Sequence, residues 1–285
     1  MTATEKRRVV LVTGASSGIG RACALHLARS GYCVFGTTRR AADLVENDLR
    51  RGLATSDELS IVTMNVDDDA SVSQCIGELL NQTGRLDAVI NCAGFGIAGS
   101  VEQTSVAEAR AIFETNVLGI LRVCRAVIPI MRNQASGTII NISSIGGLIG
   151  LPFQGFYSAT KFAVEGLTEA LRMEIRKFGI RAVLIEPGDF CTGFTDSRQL
   201  VEESKASDTY RAAQDHVLEI VEKDERGGAS PDVIARLIVR VLAKRRPRVR
   251  YTVGPVAQKL AAALKRVLPS KGFEWALAMY YGVRH

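Results

Sequence analysis

The sequence has few of the residues that build metal centres, and it has no long apolar segment. It holds three histidines and six cysteines among 285 residues. The cysteines are scattered, without a C-x-x-C pair or a histidine at metal-ligand spacing, so we expect no structural zinc and no other metal. No uncharged apolar run reaches the roughly 18 residues of a membrane-spanning helix. The first residues lack the apolar stretch of a secretory signal, and we therefore expect a reduced, cytoplasmic protein.

The composition is that of a globular protein with a basic carboxyl-terminal part. Hydrophobic residues make up 47% of the chain and charged residues 23%, with only seven prolines. The formal net charge is +6, and the excess is concentrated in residues 244–250. This run lacks interleaved aromatic residues and a recognition motif, so we expect no nucleic-acid partner. A solvated turn is favoured, and contact with anionic lipid is the alternative.

Short β-branched runs alternate with helical patterns along most of the chain. This alternation predicts an α/β fold, a single Rossmann-like, doubly wound domain over residues 1–285 with about seven parallel strands and helices on both faces. The predicted strands are 9–12, 33–37, 60–64, 88–91, 138–141, 181–185 and 249–253. The predicted helices lie near 18–30, 70–83, 105–132, 156–178 and 231–243.

A glycine-rich turn, TGASSGIG at residues 13–20, joins the first predicted strand to the first helix. Backbone N–H groups and the positive end of the helix dipole attract a pyrophosphate at such a turn. A Cβ at a glycine there would block the turn or the approach of the phosphate. The pattern predicts a dinucleotide site, although a plain tight turn also fits it. The predicted contacts are Gly14, Ser16, Ser17, Gly18, Ile19 and Gly20.

The second predicted strand ends in Arg39 and Arg40, and the first carboxylate after them is Asp43. A chain specific for NAD carries an acidic residue here to bind the ribose 2′-hydroxyl. Paired guanidinium donors instead suit a 2′-phosphate. We therefore predict NADP(H) as cofactor, with Arg39 as the main contact and Arg40 beside it. Two solvated surface arginines are the alternative.

Two further segments follow the third and fourth predicted strands. Ligands of parallel sheets bind beyond the carboxyl ends of the strands. We expect these segments to line the adenosine and ribose pockets, although plain strand ends would look similar. The predicted contacts are Asn65, Val66, Asn91, Ala93 and Gly94.

Tyr157 and Lys161 are four residues apart, so they share one face of a predicted helix. A free tyrosine has a pKa near 10 and is a poor base at neutral pH. An ammonium group and an oxidised nicotinamide ring would both lower that pKa, and Lys161 is also placed to bind the ribose. Ser144 follows a buried strand 13 residues before Tyr157. We expect Ser144, rather than Ser143, to donate a hydrogen bond to the substrate oxygen.

These motifs, in this order, resemble the short-chain dehydrogenase/reductase family over residues 7–195. The matching features are the 13–20 turn, Asn91-Cys92-Ala93-Gly94, Asn116, Ser144, Tyr157 with Lys161, and Pro187-Gly188 with Thr192. Cys92 stands where the family usually has asparagine, and Asn65 where it commonly has aspartate. Both departures bear on the adenosine contacts.

The resemblance implies a catalytic tetrad of Asn116, Ser144, Tyr157 and Lys161. Asn116 would hold a water that connects Lys161 to solvent, and Thr192 would hold the nicotinamide carboxamide, with Pro187 and Gly188 beside the cofactor. The resemblance also implies a homodimer or homotetramer through the helices near 105–132 and 156–178.

The segments 147–153 and 157–166 resemble the branch that contains 17-beta-hydroxysteroid and retinol dehydrogenases. This branch implies a lipophilic ketone or alcohol as partner. Apolar residues that flank the motifs agree with an apolar cleft, although ordinary core packing would also explain them. They are Leu151, Phe153, Phe156, Phe190 and Phe194.

Two segments outside the motifs also receive predictions. The polar segment 194–228 is predicted to be a mobile substrate lid. Residues 256–285 are predicted to be a helical extension, with Ala257, Leu260, Ala261, Leu264, Val267 and Leu268 on one face. For this extension we favour packing on the domain or closure of the pocket. Contact with a second subunit and peripheral association with a membrane are the alternatives.

The sequence therefore predicts an NADP(H)-dependent oxidoreductase that interconverts a carbonyl and an alcohol on a steroid, retinoid or lipid-like substrate, with Tyr157 as acid and base. Two alternatives remain open. One is a non-catalytic NADP(H)-binding regulatory or scaffold protein, and the other is a membrane-peripheral reductase of acyl or lipid ketones.

Overall fold

The computed structural model describes residues 7–39, 42, 49 and 58–283. Its centre is a seven-stranded sheet. The strands of this sheet are β1 Val9–Thr13, β2 Cys33–Thr38, β3 Leu59–Thr63, β4 Ala88–Asn91, β6 Gly137–Ile142, β7 Ile180–Pro187 and β9 Arg250–Val253. They lie in the order β3-β2-β1-β4-β6-β7-β9, and every neighbouring pair is parallel. The seven predicted strands are confirmed.

Helices cover both faces of the sheet, as predicted. The α-helices are α1 Gly18–Arg29, α2 Asp69–Thr83, α3 Val106–Phe113, α4 Gly119–Asn133, α5 Gly155–Ile175, α6 Phe194–Ser197, α7 Glu202–Ala206, α8 Arg211–Arg226, α9 Asp232–Ala243, α10 Val256–Leu264 and α11 Ser270–Tyr280. One apolar core lies between the sheet, α1 and α9, and a second lies between the sheet, α2, α4 and α5. Together these layers form a Rossmann-like fold with a helical carboxyl-terminal region.

Local sequence explains where the helices begin. The Asp68 carboxylate accepts hydrogen bonds from the backbone N–H groups of Ala70 and Ser71 and caps α2. Ser105 and Glu108 form a reciprocal capping box that starts α3. α1 has no such cap: the Ser17 side chain makes no capping bond, and the first turn holds no acidic residue. The first N–H groups of α1 are therefore free to meet an anion.

The predicted helix near 105–132 is interrupted. Between α3 and α4 the chain forms a π-helical turn, Glu114–Leu118, that contains Asn116. A π turn widens the helix locally and is often found at functional sites. Hydrophobic periodicity does not reveal this change of pitch, because the apolar positions on either side stay close to helical spacing.

Two short strands and one long helix were missed in the sequence. β5 Ile97–Ala98 and β8 Gln199–Leu200 form a separate parallel pair. α8 lies inside the predicted lid and buries Gln214, Val217, Leu218 and Val221. Its charged residues mask this narrow buried stripe, which nonetheless follows helical spacing.

The carboxyl-terminal extension is helical as predicted, but the predicted apolar face is shorter than expected and covers only Ala257, Leu260, Ala261 and Leu264. α10 ends at Leu264, and Val267 and Leu268 lie in the turn that precedes Pro269. Leu260, Leu264, Val267 and Leu268 are exposed, whereas Ala261 and Ala262 pack against the domain. α11 adds Phe273 and Leu277 to the same contact. In the described ranges no helix is long and apolar enough to cross a membrane.

Candidate active site

A cleft of about 740 Å³ opens at the carboxyl ends of the strands. It brings together most of the predicted site residues. The predicted residues on its wall are Gly14, Ser16, Ser17, Gly18, Ile19, Gly20, Arg39, Val66, Ala93, Gly94, Ser144, Tyr157, Lys161, Pro187, Gly188 and Thr192. Among the described residues, no group of three or more His, Cys, Asp or Glu side chains is placed to hold a metal ion.

The glycine-rich turn has the geometry that a dinucleotide needs. Gly14 and Gly18 have φ angles of +67° and +52°, which favour glycine. A Cβ on Gly20 would lie 2.2 Å from the carbonyl oxygen of Gly14. The turn is therefore as tight as backbone contact allows, and it directs the uncapped start of α1 toward the cleft. The residues present fit a nicotinamide dinucleotide.

Arg39 lies at the far end of the cleft, where its side chain is 64% exposed. Its Nη1 is 3.7 Å from the Asp67 carboxylate, which also accepts a hydrogen bond from Thr115 Oγ1 at 3.0 Å. The predictions that fall on Arg40 and Asp43 lie outside the described residues. Asp67, the last residue of the predicted segment after β3, thus forms a long ion pair with Arg39 at the edge of the cleft.

Two predicted cofactor contacts, Asn65 and Asn91, are not on the cleft wall. The Asn65 side chain accepts a hydrogen bond from the Asp67 N–H at 3.2 Å, within the turn after β3. Asn91 Nδ2 donates to Asn141 Oδ1 at 2.8 Å, between neighbouring strands. Both side chains are used in local structure, and a direct role in cofactor binding stays a prediction.

Tyr157 is buried beside Ser144. A Cβ on Gly146 would lie 3.3 Å from Tyr157 Cε1 and 3.4 Å from Ser144 Oγ, so both side chains approach the same point. Burial raises the pKa of Tyr157 to about 12, while the nearby Ser144 hydroxyl favours the phenolate and opposes this rise. The neutral phenol is therefore the stable form at neutral pH, which suits a proton donor. Ser143 also lies on the cleft wall, but it is buried, and its hydroxyl interacts with the Glu165 carboxylate.

Lys161 lies one turn after Tyr157, as predicted, with its Nζ 5.7 Å from the centre of the tyrosine ring. The ammonium group donates to the Ile142 carbonyl oxygen at 3.0 Å. Burial lowers the pKa of Lys161 to about 8, and the nearby Cys92 and Glu165 oppose this fall. Glu165 is itself held by Arg250 at 2.9 Å, and Arg250 also meets Glu186 at 3.1 Å. An ion network of Arg250 with Glu165 and Glu186 thus lies next to Lys161.

Asn116 links the segment after β4 to α5. Its Oδ1 accepts from the Phe95 N–H at 3.0 Å, and its Nδ2 donates to the Phe95 carbonyl at 3.0 Å and to Thr160 Oγ1 at 3.1 Å. The side chain is fully buried and bonded on both ends. It fixes the turn that precedes Lys161, and the water-holding role implied by the resemblance stays a prediction.

The substrate end of the cleft has an apolar wall and an acidic wall. Leu151, Phe190 and Phe194 line it, as does Tyr281 from the turn after α11. The Tyr157 and Phe194 ring centres are 5.5 Å apart. Phe153 and Phe156 do not line the cleft. Asp189, Asp224 and Glu225, all missed in the sequence, form the acidic side.

The missed residues left little signal in the sequence. Asp189 follows Pro187-Gly188 directly and could have been noticed there. Asp224 and Glu225 are two acids in a charged helix, and Tyr281 is distant in the chain. Only the fold brings these four side chains to one wall.

Comparison with known proteins identifies the family. The sequence model of the short chain dehydrogenase family matches residues 8–203. The chain is 39% identical to 3-ketodihydrosphingosine reductase of Bacteroides thetaiotaomicron, over 97% of this chain and 99% of that protein. It is 33% identical to retinol dehydrogenase 8 of Bos taurus, over 97% and 94%. The protein belongs to the short-chain dehydrogenase/reductase family and is an oxidoreductase of that family.

Solved structures agree with this assignment. A short-chain dehydrogenase from Streptomyces avermitilis matches with a TM-score of 0.82 at 31% identity, over 96% of this chain and 97% of that chain. A short chain dehydrogenase/reductase from Burkholderia phymatum in complex with NAD matches with a TM-score of 0.79 at 27% identity, over 92% and 93%. The Burkholderia phymatum relative was thus solved with NAD bound.

The buried Lys161 predicts a pH-dependent stability. The pKa of Lys161 falls from 10.5 to about 8 in the folded protein, so the folded state bears the cost of a buried charge below pH 8. This cost disappears as the pH rises from 8 toward 10.5. We expect Lys161→Met to raise the free energy of unfolding at neutral pH by roughly 1–3 kcal/mol, with a smaller gain at about pH 10.

Urea unfolding at the two pH values measures this effect. Lys259→Met, which replaces an exposed lysine on α10, is the matched control and should change stability little at either pH. A Lys161→Met protein that is less stable than the wild type at neutral pH would contradict this prediction. It would show that contacts in the folded protein offset the free-energy cost of burying the ammonium group.

Proposed function

We propose that this protein is an NADP(H)-dependent oxidoreductase that interconverts a carbonyl and an alcohol on a lipophilic substrate. The observation that carries the proposal is the buried phenol of Tyr157, which lies between Lys161 and the apolar wall of the cleft. A proton donor beside a dinucleotide cleft and an apolar pocket suits the reduction of a lipophilic ketone.

Four side chains have separate roles in the proposed reaction. Ser144 hydrogen-bonds the substrate oxygen, and Tyr157 transfers a proton to it in the reducing direction. Lys161 binds the ribose and stabilises the phenolate that remains. Asn116 supports this turn through Phe95 and Thr160. The bound nicotinamide supplies or accepts the hydride, and the protein supplies orientation and electrostatics.

The relatives support a lipid-like substrate. One is named for 3-ketodihydrosphingosine and another for retinol. The apolar wall formed by Leu151, Phe190 and Phe194 would accept a long hydrocarbon chain. A lipid ketone is therefore the substrate class that we favour.

We also propose that residues 194–228 act as a substrate lid. Phe194, Ser197 and Val221 line the cleft from this segment. The Arg198 guanidinium is buried and paired with Glu225, so this ion pair ties the start of the lid to its end. Such a tie lets the segment move as one unit over the cleft.

Replacing Tyr157 tests the activity. We expect Tyr157→Phe to lower kcat with a lipid ketone by roughly 100-fold or more, because the proton donor is lost. The affinity for NADPH should change by less than about twofold, since the hydroxyl is not part of the phosphate site. Steady-state kinetics and calorimetric titration measure the two effects. Tyr210→Phe, an exposed lid tyrosine bonded to Glu102, is the control and should keep full activity.

An unchanged kcat in Tyr157→Phe would exclude the proposed acid. Wild-type protein that binds NADPH but reduces no ketone or aldehyde would instead support the alternative of a non-catalytic NADP(H)-binding regulatory protein.

The preference for NADP(H) rests on Arg39, the arginine at the adenosine end of the cleft. We expect Arg39→Ala to weaken NADPH binding by about 10- to 100-fold, because a charge-assisted bond to the 2′-phosphate is lost. NADH binding should change by less than about twofold. Calorimetric titration of both cofactors checks this. Arg125→Ala, an arginine on α4 that faces Asp69, is the matched control.

Equal affinity of the wild-type protein for NADH and NADPH would rule out the phosphate contact. The proposed hydride transfer would then use NAD in place of NADP.

A membrane-peripheral form of the same activity is supported by the surface of the extension. Val256, Leu260, Val267 and Trp275 are more than half exposed. Residues 244–272 hold nine lysines and arginines and no acidic residue. Exposed apolar groups with basic charge are the combination that binds anionic lipid surfaces.

Vesicle co-sedimentation tests this association. We expect the protein to pellet with phosphatidylglycerol–phosphatidylcholine vesicles in low salt, and the double variant Leu260→Ser, Val267→Ser to lose most of this binding. Met173→Ser, which removes an exposed apolar side chain from α5, is the control and should pellet like the wild type. Wild-type protein that stays in the supernatant would remove the membrane form of the proposal.

A further inference from the structure

The substrate end of the cleft holds more negative charge than the fold itself compensates. Asp189, Asp224 and Glu225 all lie on this wall. Arg198 pairs with Glu225. In the described part of the chain neither Asp189 nor Asp224 forms an ion pair: Asp224 accepts a hydrogen bond from the Tyr280 hydroxyl, and Asp189 accepts one from Gln258. Two carboxylates therefore line the cleft without a salt-bridge partner among the described residues, although the charge of Arg198 still acts on Asp189.

Asp189 is held in place by a dedicated contact. The Gln258 amide on α10 bonds it twice: Nε2 donates to Asp189 Oδ2, and Oε1 accepts from the Asp189 backbone N–H at 3.0 Å. Glycine at position 188 makes room for this contact, because a Cβ there would lie 2.1 Å from Gln258 Oε1. The carboxylate direction is thus fixed, and Oδ1 accepts no hydrogen bond from the described residues.

This carboxylate lines the same cleft as Tyr157. The charges of Glu225 and Asp189 act to raise the pKa of Tyr157, and the charge of Arg198 acts to lower it. Burial raises the pKa of Asp189 itself to about 6, so the group is still ionised at neutral pH. A partly buried carboxylate without a cation is costly, and a positively charged ligand would offset that cost.

One substrate must place its carbonyl oxygen at Tyr157 and Ser144 and also interact favourably with the Asp189 carboxylate. Tyr157 and Ser144 define where the carbonyl oxygen lies, and the apolar wall accepts a hydrocarbon chain. A neutral steroid or retinoid would leave Asp189 uncompensated, and a fatty acid carboxylate would be repelled by it. An aliphatic amine, protonated at neutral pH, matches the site.

We infer that Asp189 is a specificity-determining residue that binds a protonated amine of the substrate, so that the substrate is a long-chain ketone or alcohol with an amino group near the reacting carbon. Asp224, on α8, adds a second negative charge to the same wall of the cleft. The amine remains chemically unchanged in the reaction. The inference rests on the proposed function, because it assumes that the carbonyl lies at Tyr157.

A matched pair of substrates tests the inference. One is a long-chain 2-amino-3-ketone, and the other is the 3-ketone of the same length without the amine. We expect the wild type to prefer the amino ketone by about 10-fold or more in kcat/KM, as for a charge-assisted hydrogen bond. Asp189→Asn should lower kcat/KM for the amino ketone by about 10- to 100-fold and that for the plain ketone by less than about twofold.

Asparagine keeps the shape of Asp189 and can still accept the Gln258 bond, so the variant removes charge with little change of packing. Glu78→Gln is the control, since Glu78 is an exposed acid on α2, outside both the cleft and the lid. This control should leave both substrates unaffected. Equal losses of kcat/KM for the two ketones in Asp189→Asn would show that Asp189 has only a structural role and would overturn the inference.

A binding measurement separates this inference from the proposed function. Calorimetry with a long-chain alkylamine and the alcohol of equal length, in the presence of NADP⁺, needs no turnover. Amine binding that is lost in Asp189→Asn supports the amine site even if no ketone is reduced, in which case the proposed function alone fails. Reduction of both ketones at equal rates, with equal binding of amine and alcohol, leaves the proposed function standing and overturns the amine site.

Discussion

Two ionisable side chains, Tyr157 and Lys161, are buried one turn apart on α5, and the structure around them compensates for only part of their lost hydration. Burial moves each pKa toward the neutral form, to about 12 for Tyr157 and about 8 for Lys161. The Ile142 carbonyl binds the ammonium group, and Glu165 adds an opposing charge behind it. Burial therefore keeps the Tyr157 phenol protonated at neutral pH, as the proposed proton transfer to a substrate oxygen requires.

The parallel sheet brings the rest of the site to this pair. β1 lies between β2 and β4, so the glycine-rich turn, Arg39 and the segment after Asn91 all meet at one edge of the sheet. Ser144 follows β6 and Thr192 follows β7, and these strands are neighbours. Chain segments far apart in sequence therefore line one cleft. The carboxyl-terminal extension contributes to the substrate end of this cleft, because Gln258 binds Asp189 and Tyr281 lies on the wall.

Much of the fold could be predicted because buried parallel strands leave unbroken apolar runs, and all seven strands of the main sheet were found in this way. The site motifs are short and local, so the turn at 13–20, Ser144, Tyr157 and Lys161 could be placed without the structure. Asp224 and Tyr281 could not, since only tertiary packing brings them to the cleft, and the one local signal for Asp189 is its position after Pro187-Gly188. The pattern at 257–268 places residues on a shared face of α10, but it does not show that the helix ends at Leu264 or which face meets the domain.

The central claim is that this cleft transfers hydride between NADP(H) and a lipid ketone. The most direct measurement is reduction of a long-chain ketone with NADPH that carries deuterium at C4 of the nicotinamide, followed by mass spectrometry of the product. The account predicts one deuterium on the carbinol carbon when one of the two C4 epimers of the labelled cofactor is used, and none with the other. An alcohol without deuterium from either epimer, or no alcohol from any lipid ketone tried, would contradict it.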